Sequence, residues 1–288
     1  LRRRLGGEDR LALATLERIS DRYGTSAELA IRQAAILYIH GTIDDAWRRM
    51  DEARRAVSPA DRDFWQLYAQ LSQFTTRYDD AIAAYRSMMA VSPRPAEDLE
   101  SLIGLLQAAY PAEAARMAEQ GYERYGRRDW AAIALAIHAG REDWTAYARV
   151  LGMLRSRDLV ALESEPDFRA ARAQYYQGIG ANDRALADYE AALKLTDAEP
   201  PAQRALRQPY LWLLIAERRQ DELRRRLRAW RRDAERDPEF WAVFAAAHSL
   251  LGEPTNAVRY YAKLVATKSD DALVQLAYAS ALEESQQP

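Results

Sequence analysis

Three histidines and several neighbouring carboxylates are the residues of this sequence whose types could carry out chemistry. His40, His138 and His248 could bind a metal ion or transfer protons near neutral pH. The pairs Asp44–Asp45 and Asp79–Asp80 could act as a general acid and base. The histidines are far apart in sequence, however, and each carboxylate pair precedes an amphipathic segment, where it would cap a helix and suit its dipole. We therefore expect structural roles for both sets, and neither a metal nor a cofactor.

The strongest concentration of charge is the segment DELRRRLRAWRRDAER, residues 221–236. Its arginines surround Leu223, Leu227 and Trp230, which recur at helical spacing. One interpretation is a solvated helix face, paired with the acidic residues of the same segment. The other is a basic patch for an acidic partner. The patch would consist of Arg224, Arg225, Arg228, Arg231 and Arg232.

Composition excludes several classes of function. The 288 residues contain no cysteine, so disulfides, cysteine catalysis and cysteine-based zinc sites are ruled out. The formal net charge of −2 provides no general attraction to nucleic acid, and no apolar run approaches the ~18 residues of a membrane span. Because no glycine-rich phosphate loop and no H-E-x-x-H or G-x-S-x-G motif occurs, we predict a protein that is not an enzyme. We also predict that it binds no nucleic acid and that this segment makes no membrane contact.

The elements that position these residues are helices that recur along the whole chain. The stretch RYDDAIAAYRSMMAVSP, 77–93, returns as NDRALADYEAALKLTDAEP, 182–200. A small residue opens each copy, and a large or small apolar residue follows four positions later. The intervals between copies are 32 to 39 residues, which indicates stacked helical repeats. The opening positions are Ala12, Ala46, Ala81, Ala114, Ala146, Ala185, Leu223 and Ala257. Leu223 is the one large residue among them, so either its helix stands further off or the register is shifted there.

A second helix type precedes each copy, as in DFWQLYAQLSQF and EFWAVFAAAHSL. Trp65, Tyr68 and Ala69 keep the same spacing as Trp241, Phe244 and Ala245. Together the two helix types resemble the tetratricopeptide repeat, whose pattern is W-x2-L-G-x2-Y, then A-x3-F-x2-A, then proline, here Pro93. The resemblance covers essentially the whole chain.

This resemblance implies an all-α fold, a right-handed α-solenoid of about seven helix-turn-helix units with partial repeats at both ends. We expect one superhelix over residues 1–288, continued by further repeats on at least one side. The second helix of a truncated repeat would cover 8–23, and the first helix of another 272–284. The complete repeats would cover approximately 27–61, 62–95, 96–126, 127–165, 166–202, 203–237 and 238–271.

The resemblance also implies a binding groove. In tetratricopeptide arrays the first helices line the inner wall, and partner-binding residues lie on the face that is not used for packing. Aromatic and glutamine side chains on that face suit peptide recognition or carbohydrate stacking. The alternative is that the aromatic members belong to the core between repeats. The predicted groove residues are Tyr38, Gln66, Gln70, Gln73, Phe74, Gln174, Gln177, Trp212 and Ser249.

Within the tetratricopeptide proteins, this arginine-rich, degenerate array resembles the periplasmic part of a bacterial exopolysaccharide export protein of the Pel type. The resemblance implies a scaffold that docks a polysaccharide deacetylase or hydrolase in an envelope secretion complex. It implies a location in the bacterial periplasm, as part of an outer-membrane protein. Two alternatives stay open: an array that binds or guides the exopolysaccharide itself, and a regulatory segment of a larger cytoplasmic protein.

Overall fold

The computed structural model describes residues 6–40, 42–92, 94–196, 200–267 and 271–286. Within these ranges the chain forms helices joined by short turns, and it contains no strand. The fold class predicted from the sequence, an all-α array of helix-turn-helix units, is confirmed. The helices are α1 (Gly7–Tyr23), α2 (Ala27–Ile39), α3 (Ile43–Ala53), α4 (Arg62–Phe74), α5 (Tyr78–Met89), α6 (Pro95–Ala109), α7 (Pro111–Tyr125), α8 (Arg128–Gly140), α9 (Trp144–Met153), α10 (Ser156–Leu162), α11 (Pro166–Gly178), α12 (Asn182–Leu195), α13 (Pro200–Ala216), α14 (Gln220–Ala234), α15 (Trp241–Leu250), α16 (Pro254–Thr267) and α17 (Ala272–Gln286).

The same backbone turn joins consecutive helices at five places among the described residues. One residue of each turn has a left-handed φ, between 51° and 76°. The N–H of the following residue then donates to the carbonyl five residues earlier, at 2.7–3.0 Å, which satisfies the end of the first helix. Two of these turns use glycine and three use a residue with a side chain, so the turn depends on backbone geometry more than on residue type. The left-handed residues are Thr76, Glu142, Gly180, Arg218 and Gly252.

Contacts divide the chain into two compact units, residues 1–137 and 138–288. In the first unit, the pairs α2–α3, α4–α5 and α6–α7 form hairpins. Aromatic rings fill the core of α2–α5. The rings of Trp65 and Phe64 pack edge-on with 5.4 Å between their centroids, and Tyr68 is fully buried. The Tyr68 hydroxyl donates to Asp51 at 2.7 Å, which satisfies the one polar atom of this buried ring.

The second unit, residues 138–288, has its own continuous core from α11 to α16. It is built from α11–α12 and α15–α16 hairpins, with α13 packed against α12, α14 and α15. Trp241 repeats the arrangement of Trp65 in the first unit. Each indole N–H donates at 2.9 Å to the carbonyl seven residues earlier, Ala234 and Ser58 respectively. The tryptophan of the pattern therefore fastens a first helix to the end of the preceding repeat.

Most of the opening positions of the second helices lie where close packing requires small side chains. Ala46, Ala81, Ala114, Ala185 and Ala257 are all fully buried. Leu223 is fully buried as well, together with Leu227 and Trp230, so the register of α14 is not shifted.

Ala146 is only half-buried, and Ala12 is exposed, so the expectation of a packed alanine is wrong at Ala12. Leu13, the next residue of α1, packs against the core of the first unit instead. Ala12 lines an open pocket between α1 and α2, together with Ala35 and Ile36, rather than a close helix contact. The predicted repeat limits stay predictions, and Pro93, residues 197–199 and residues 268–270 within those repeats lie outside the described residues.

Two helices carry a glycine where a tryptophan ring of another helix packs close to their backbone. Gly121 of α7 lies under Trp130 of α8, and a methyl group at Gly121 would overlap the six-membered ring. Trp130 is 1% exposed, so it cannot move into solvent without leaving a void. Gly178 of α11 lies against the indole of Trp144 in the same way.

Replacing Ala81 by leucine tests the close approach of α5 to its neighbours. Ala81 is fully buried, so three extra carbon atoms should overpack the contact and lower the free energy of unfolding by ~1–3 kcal/mol. Ala83→Leu is the matched control, because Ala83 is exposed on the same helix. Urea denaturation of both variants measures the difference. Equal stabilities would contradict the packing assigned to Ala81.

A pair of glycine substitutions separates packing from helix propensity. Alanine in place of glycine favours a helix by about 1 kcal/mol. Gly104 has open space where a Cβ would lie, so Gly104→Ala should raise the midpoint of thermal unfolding. Gly121→Ala should lower it, because overlap with Trp130 outweighs the same gain. A rise for both variants would mean that Trp130 does not hold α7 and α8 together.

Candidate functional site

Each histidine lies beside a single carboxylate rather than in a cluster. Among the described residues, no group of three or more side chains is placed to hold a metal ion. Burial lowers the pKa of His248 despite its hydrogen bond to Glu253, so this imidazole is neutral at neutral pH. Its half-buried ring stacks on the buried Tyr260, with 5.8 Å between ring centroids. The nitrogen-to-oxygen distances are 2.8 Å for His40–Asp9, 4.0 Å for His138–Asp143 and 2.8 Å for His248–Glu253.

The carboxylate pairs lie in the first turns of helices, as expected, but they do not cap them. The N-cap residues of α3 and α5 are Thr42 and Arg77, and neither helix start has a side-chain cap hydrogen bond. The aspartates instead bind neighbouring side chains. The pairs are Asp44–Arg77 at 3.1 Å, Asp45–Arg48 at 2.6 Å and Asp79–Tyr110 at 2.6 Å. The favourable interaction with the helix dipole remains, since all three lie in the first turn.

A group of ion pairs with both partners buried lies around Asp188 of α12, which is 3% exposed. Both oxygens of Asp188 accept from Arg172 of α11, at 2.7 and 2.8 Å, and Arg169 donates to the same carboxylate at 2.7 Å. Arg172 also donates to Glu163 at 2.7 Å. Burial lowers the pKa of Arg172, but the two carboxylates outweigh burial and raise it above its usual value. Fully paired charges of this kind fix the α11–α12 hairpin and offer no free acid or base.

Replacing Asp188 by asparagine tests this structural role. The change removes one of the two charges that compensate Arg172, which is 7% exposed, and also a partner of Arg169. It should lower the free energy of unfolding by about 3 kcal/mol, at the low end for breaking a buried pair because Glu163 remains. Asp45→Asn provides the control, because Asp45 forms an exposed pair with Arg48 that should contribute less than about 1 kcal/mol. Chemical denaturation gives both values. A loss at Asp188 no larger than at Asp45 would rule out the buried cluster as a stabilising element.

The predicted groove residues of the first unit lie on the free face of α2 and α4, two helices that contact each other. Tyr38 and Gln73 both follow a buried alanine by four residues, Ala34 and Ala69, and therefore occupy equivalent positions. Tyr38 is 51% exposed and Phe74 is 67% exposed. Gln66 and Gln70 are exposed too, and Gln73 is half-buried. The alternative that Tyr38 and Phe74 belong to the core is therefore wrong.

The predicted groove residues of the second unit lie on α11, α13 and α15. Gln174 and Gln177 are exposed on α11, Trp212 is 40% exposed on α13, and Ser249 is half-buried on α15. The helices of Trp212 and Ser249 contact each other. Trp212 is thus accessible while its neighbours Leu211 and Leu213 are fully buried, which excludes a core role for the indole as well. The binding role of this set and of the first stays a prediction.

The residues of the predicted basic patch do not form one surface. Arg225 pairs with Glu222, and Arg224 with Asp221 at 3.6 Å, as the solvated-face interpretation expects. Asp233, however, pairs with Arg207 of α13 at 2.6 Å rather than with its own helix. Arg228 and Arg231 face the next hairpin, where they meet Arg259 of α16 around one pocket. Sequence reasoning missed Arg259, because a helical repeat pattern does not show which side chain of the next hairpin reaches a given helix.

Sequence reasoning also missed Ile39, which follows Tyr38 and is 68% exposed at the end of α2. The juxtaposition of two large apolar side chains at a helix end was the available signal.

No helix among the described residues is both long and apolar enough to span a membrane.

Comparison with known proteins places these features in a family. A family model described as Tetratricopeptide repeat matches residues 18–288, nearly the whole chain. No curated protein matches the sequence.

Solved structures share the fold at low identity. A tetratricopeptide repeat protein from Parabacteroides merdae is 11% identical with a TM-score of 0.50, over 89% of this chain and 98% of that one. PilF of Pseudomonas aeruginosa is 12% identical with a TM-score of 0.54, over 77% and 97%. A chain of the Naa15/Naa10 assembly bound to HypK-THB is 17% identical with a TM-score of 0.56, over 93% of this chain but only 40% of its own length. At these identities the likeness concerns the fold alone.

Proposed function

Because the chain belongs to the tetratricopeptide repeat family, we propose that it is a non-catalytic scaffold that binds a protein partner through the free faces of its first helices. Tetratricopeptide proteins are in general protein-interaction scaffolds without catalytic activity. The observation that carries the proposal is the exposure of Tyr38, Phe74 and Trp212, at 51%, 67% and 40%. Large aromatic side chains in contact with water favour binding, because a partner that covers them removes apolar surface from water.

The neighbouring glutamines support a polypeptide as the partner. Gln66 and Gln70 lie on the same helix as Phe74 and have no hydrogen-bond partner among the described residues. A primary amide both donates and accepts, so it can pair with the backbone N–H and C=O groups of a bound peptide. Neutral amides also place no charge on this face, which favours binding that resists salt.

We propose more specifically that the partner is an enzyme that modifies an exopolysaccharide, such as a deacetylase or hydrolase. The chain would hold this enzyme in an envelope secretion complex of the bacterial periplasm, as part of an outer-membrane protein. This finer proposal rests on the resemblance of the arginine-rich, cysteine-free repeats to Pel-type export proteins. A regulatory role in a larger cytoplasmic protein is the alternative.

A glycan is the second candidate ligand, and one observation favours it. Exposed aromatic rings flanked by amides can stack on sugar rings and bind their hydroxyl groups. Such a face, on Phe74 with Gln70 and Gln73, would allow the array to guide the polymer itself.

Affinity capture with matched variants tests the proposal. Wild type, Tyr38→Ala/Phe74→Ala and Trp212→Ala would be immobilised and exposed to extract of the native host at low and high salt. We expect wild type to retain one protein at high salt and the double variant to lose it, because each aromatic anchor contributes ~1–3 kcal/mol to binding. The control is Tyr23→Ala/Tyr78→Ala, which removes two exposed rings outside the first helices and should retain the partner.

The outcomes separate the two levels of the proposal. Retention of a protein that is not a polysaccharide-modifying enzyme would end the finer proposal and leave the scaffold. Retention of glycan alone would favour the polymer-guiding array. Equal retention by wild type and both groove variants would contradict the scaffold surface proposed here.

A further inference from the structure

Helix α14 carries a row of arginines on a face that is mostly apolar in the other second helices. Arg224, Arg228 and Arg231 are spaced four and three residues apart, so they share one face beside the buried Leu223, Leu227 and Trp230. In the register of Leu223, the position of Arg224 is apolar in every other complete repeat. The residues there are Trp47, Ile82, Ala115, Tyr147, Leu186 and Val258. The position of Arg231 is apolar in five of the six, namely Met89, Tyr122, Leu154, Leu193 and Val265.

A pocket of about 190 Å³ lies where this row of arginines meets the next hairpin. We call it the arginine pocket. Its basic wall consists of Arg224, Arg228, Arg231 and Arg259, and its other side is formed by His248, Glu253, Asn256 and Tyr260. Leu227 and Leu251, which are 4% and 8% exposed, form an apolar base. In other repeats the residues at the position of Arg224, such as Ile82, Ala115 and Tyr147, are buried. In α14 the same position holds a charged side chain that lines a pocket.

The positive charge of the arginine pocket is only partly compensated. Glu235 is the single carboxylate shared by Arg231 at 4.0 Å, Arg259 at 3.0 Å and Lys263 at 2.9 Å. Arg228 forms no ion pair within the part of the chain that the structure describes.

The remaining acidic groups do not change this balance. Asp221 pairs with Arg224 at 3.6 Å but is fully exposed, so solvent screens the interaction. Glu253 accepts a hydrogen bond from Asn256 at 3.3 Å and binds His248 at 2.8 Å, and the imidazole is neutral. The side chains that line the pocket, counted together with Asp221, Glu235 and Lys263 that pair around it, give five basic groups and three carboxylates. The excess is two positive charges.

This balance selects the chemical class of ligand. A guanidinium group presents N–H donors in a planar fork that fits two oxygens of a phosphoryl group, and several forks can bind one tetrahedral anion. The volume of the pocket suits one such group rather than a chain of residues. An excess of two charges is neutralised by a dianion, which a phosphate monoester is at slightly alkaline pH.

We propose that the arginine pocket binds a phosphoryl dianion through Arg228, Arg231 and Arg259, with Arg224 at its edge. The group is either free phosphate or the phosphoryl group of a larger ligand, since both present the same oxygens to the forks. The site is separate from the aromatic face of the first helices, because it lies on α14 and the α15–α16 hairpin and contains none of the predicted groove residues.

Isothermal titration with inorganic phosphate at pH 8 and constant ionic strength tests the proposal. Wild type should bind one equivalent saturably. Arg228→Gln and Arg231→Gln should each weaken binding at least about tenfold, because each removes charge-assisted hydrogen bonds. Arg232→Gln is the matched control. It removes the same charge from the same helix, and Arg232 is exposed and does not line the pocket, so the affinity should change less than about twofold.

A second variant keeps the test independent of folding. Arg224→Leu restores the apolar residue type found at this position in the other repeats, so the variant should fold at least as stably as wild type. It should still bind phosphate more weakly, because the net positive charge of the pocket falls. Circular dichroism would verify the helical content of every variant before titration.

Two further ligands distinguish the source and the class of the anion. A short phosphoserine peptide that displaces phosphate would identify a phosphoryl group on a larger ligand, and failure to displace it would identify the free ion; both results support the site. Acetate that competes as strongly as phosphate would overturn the assignment to a dianion. Absence of saturable phosphate binding, or equal losses for Arg228→Gln and Arg232→Gln, would overturn the pocket altogether.

Discussion

The rest of the structure depends on how closely two helices can approach at a small side chain. Ala69 and Ala81 are fully buried because helices lie against them. At Gly121 the ring of Trp130 lies so close that even a methyl group would overlap it. The contact within one hairpin buries only part of its apolar surface. Stacking on the next hairpin buries the rest. Side chains outside these contacts carry little of the packing. The first helices can therefore expose Tyr38 and Phe74 without a loss of core.

The fold could be predicted from the sequence because the packing rule is local and repeats. Ala46, Ala81 and Ala114 recur at intervals of 35 and 33 residues, and all three are buried. The candidate sites could be predicted only in part. Helical spacing places Tyr38 on the face opposite the core, but exposure depends on what the next helix covers. Ala12 fails for that reason, since it follows the pattern but is exposed and lines an open pocket between α1 and α2.

The two proposed surfaces recognise ligands by different physics. The face of Phe74 and its glutamines carries an exposed aromatic ring and no charge on its amides, so its binding free energy comes mainly from covering the ring and is little affected by salt. The arginine pocket depends on unbalanced guanidinium groups, whose attraction weakens as ionic strength rises. One array could therefore hold two ligands under separate control. Arg259 could not have been assigned to this site from spacing, because the contact joins consecutive repeats.

The burial of the tryptophans has a spectroscopic consequence. Trp130 is 1% exposed, whereas Trp212 is 40% exposed, so the chain contains indoles in apolar and in aqueous surroundings. Excitation at the red edge of the absorption band favours the emission of solvated indoles, and an aqueous quencher reaches those indoles first. Occupancy of the face around Trp212 should therefore change the emission of the solvated indoles. The emission of the buried indoles, which include Trp65, Trp130 and Trp230, reports on whether the helices remain packed.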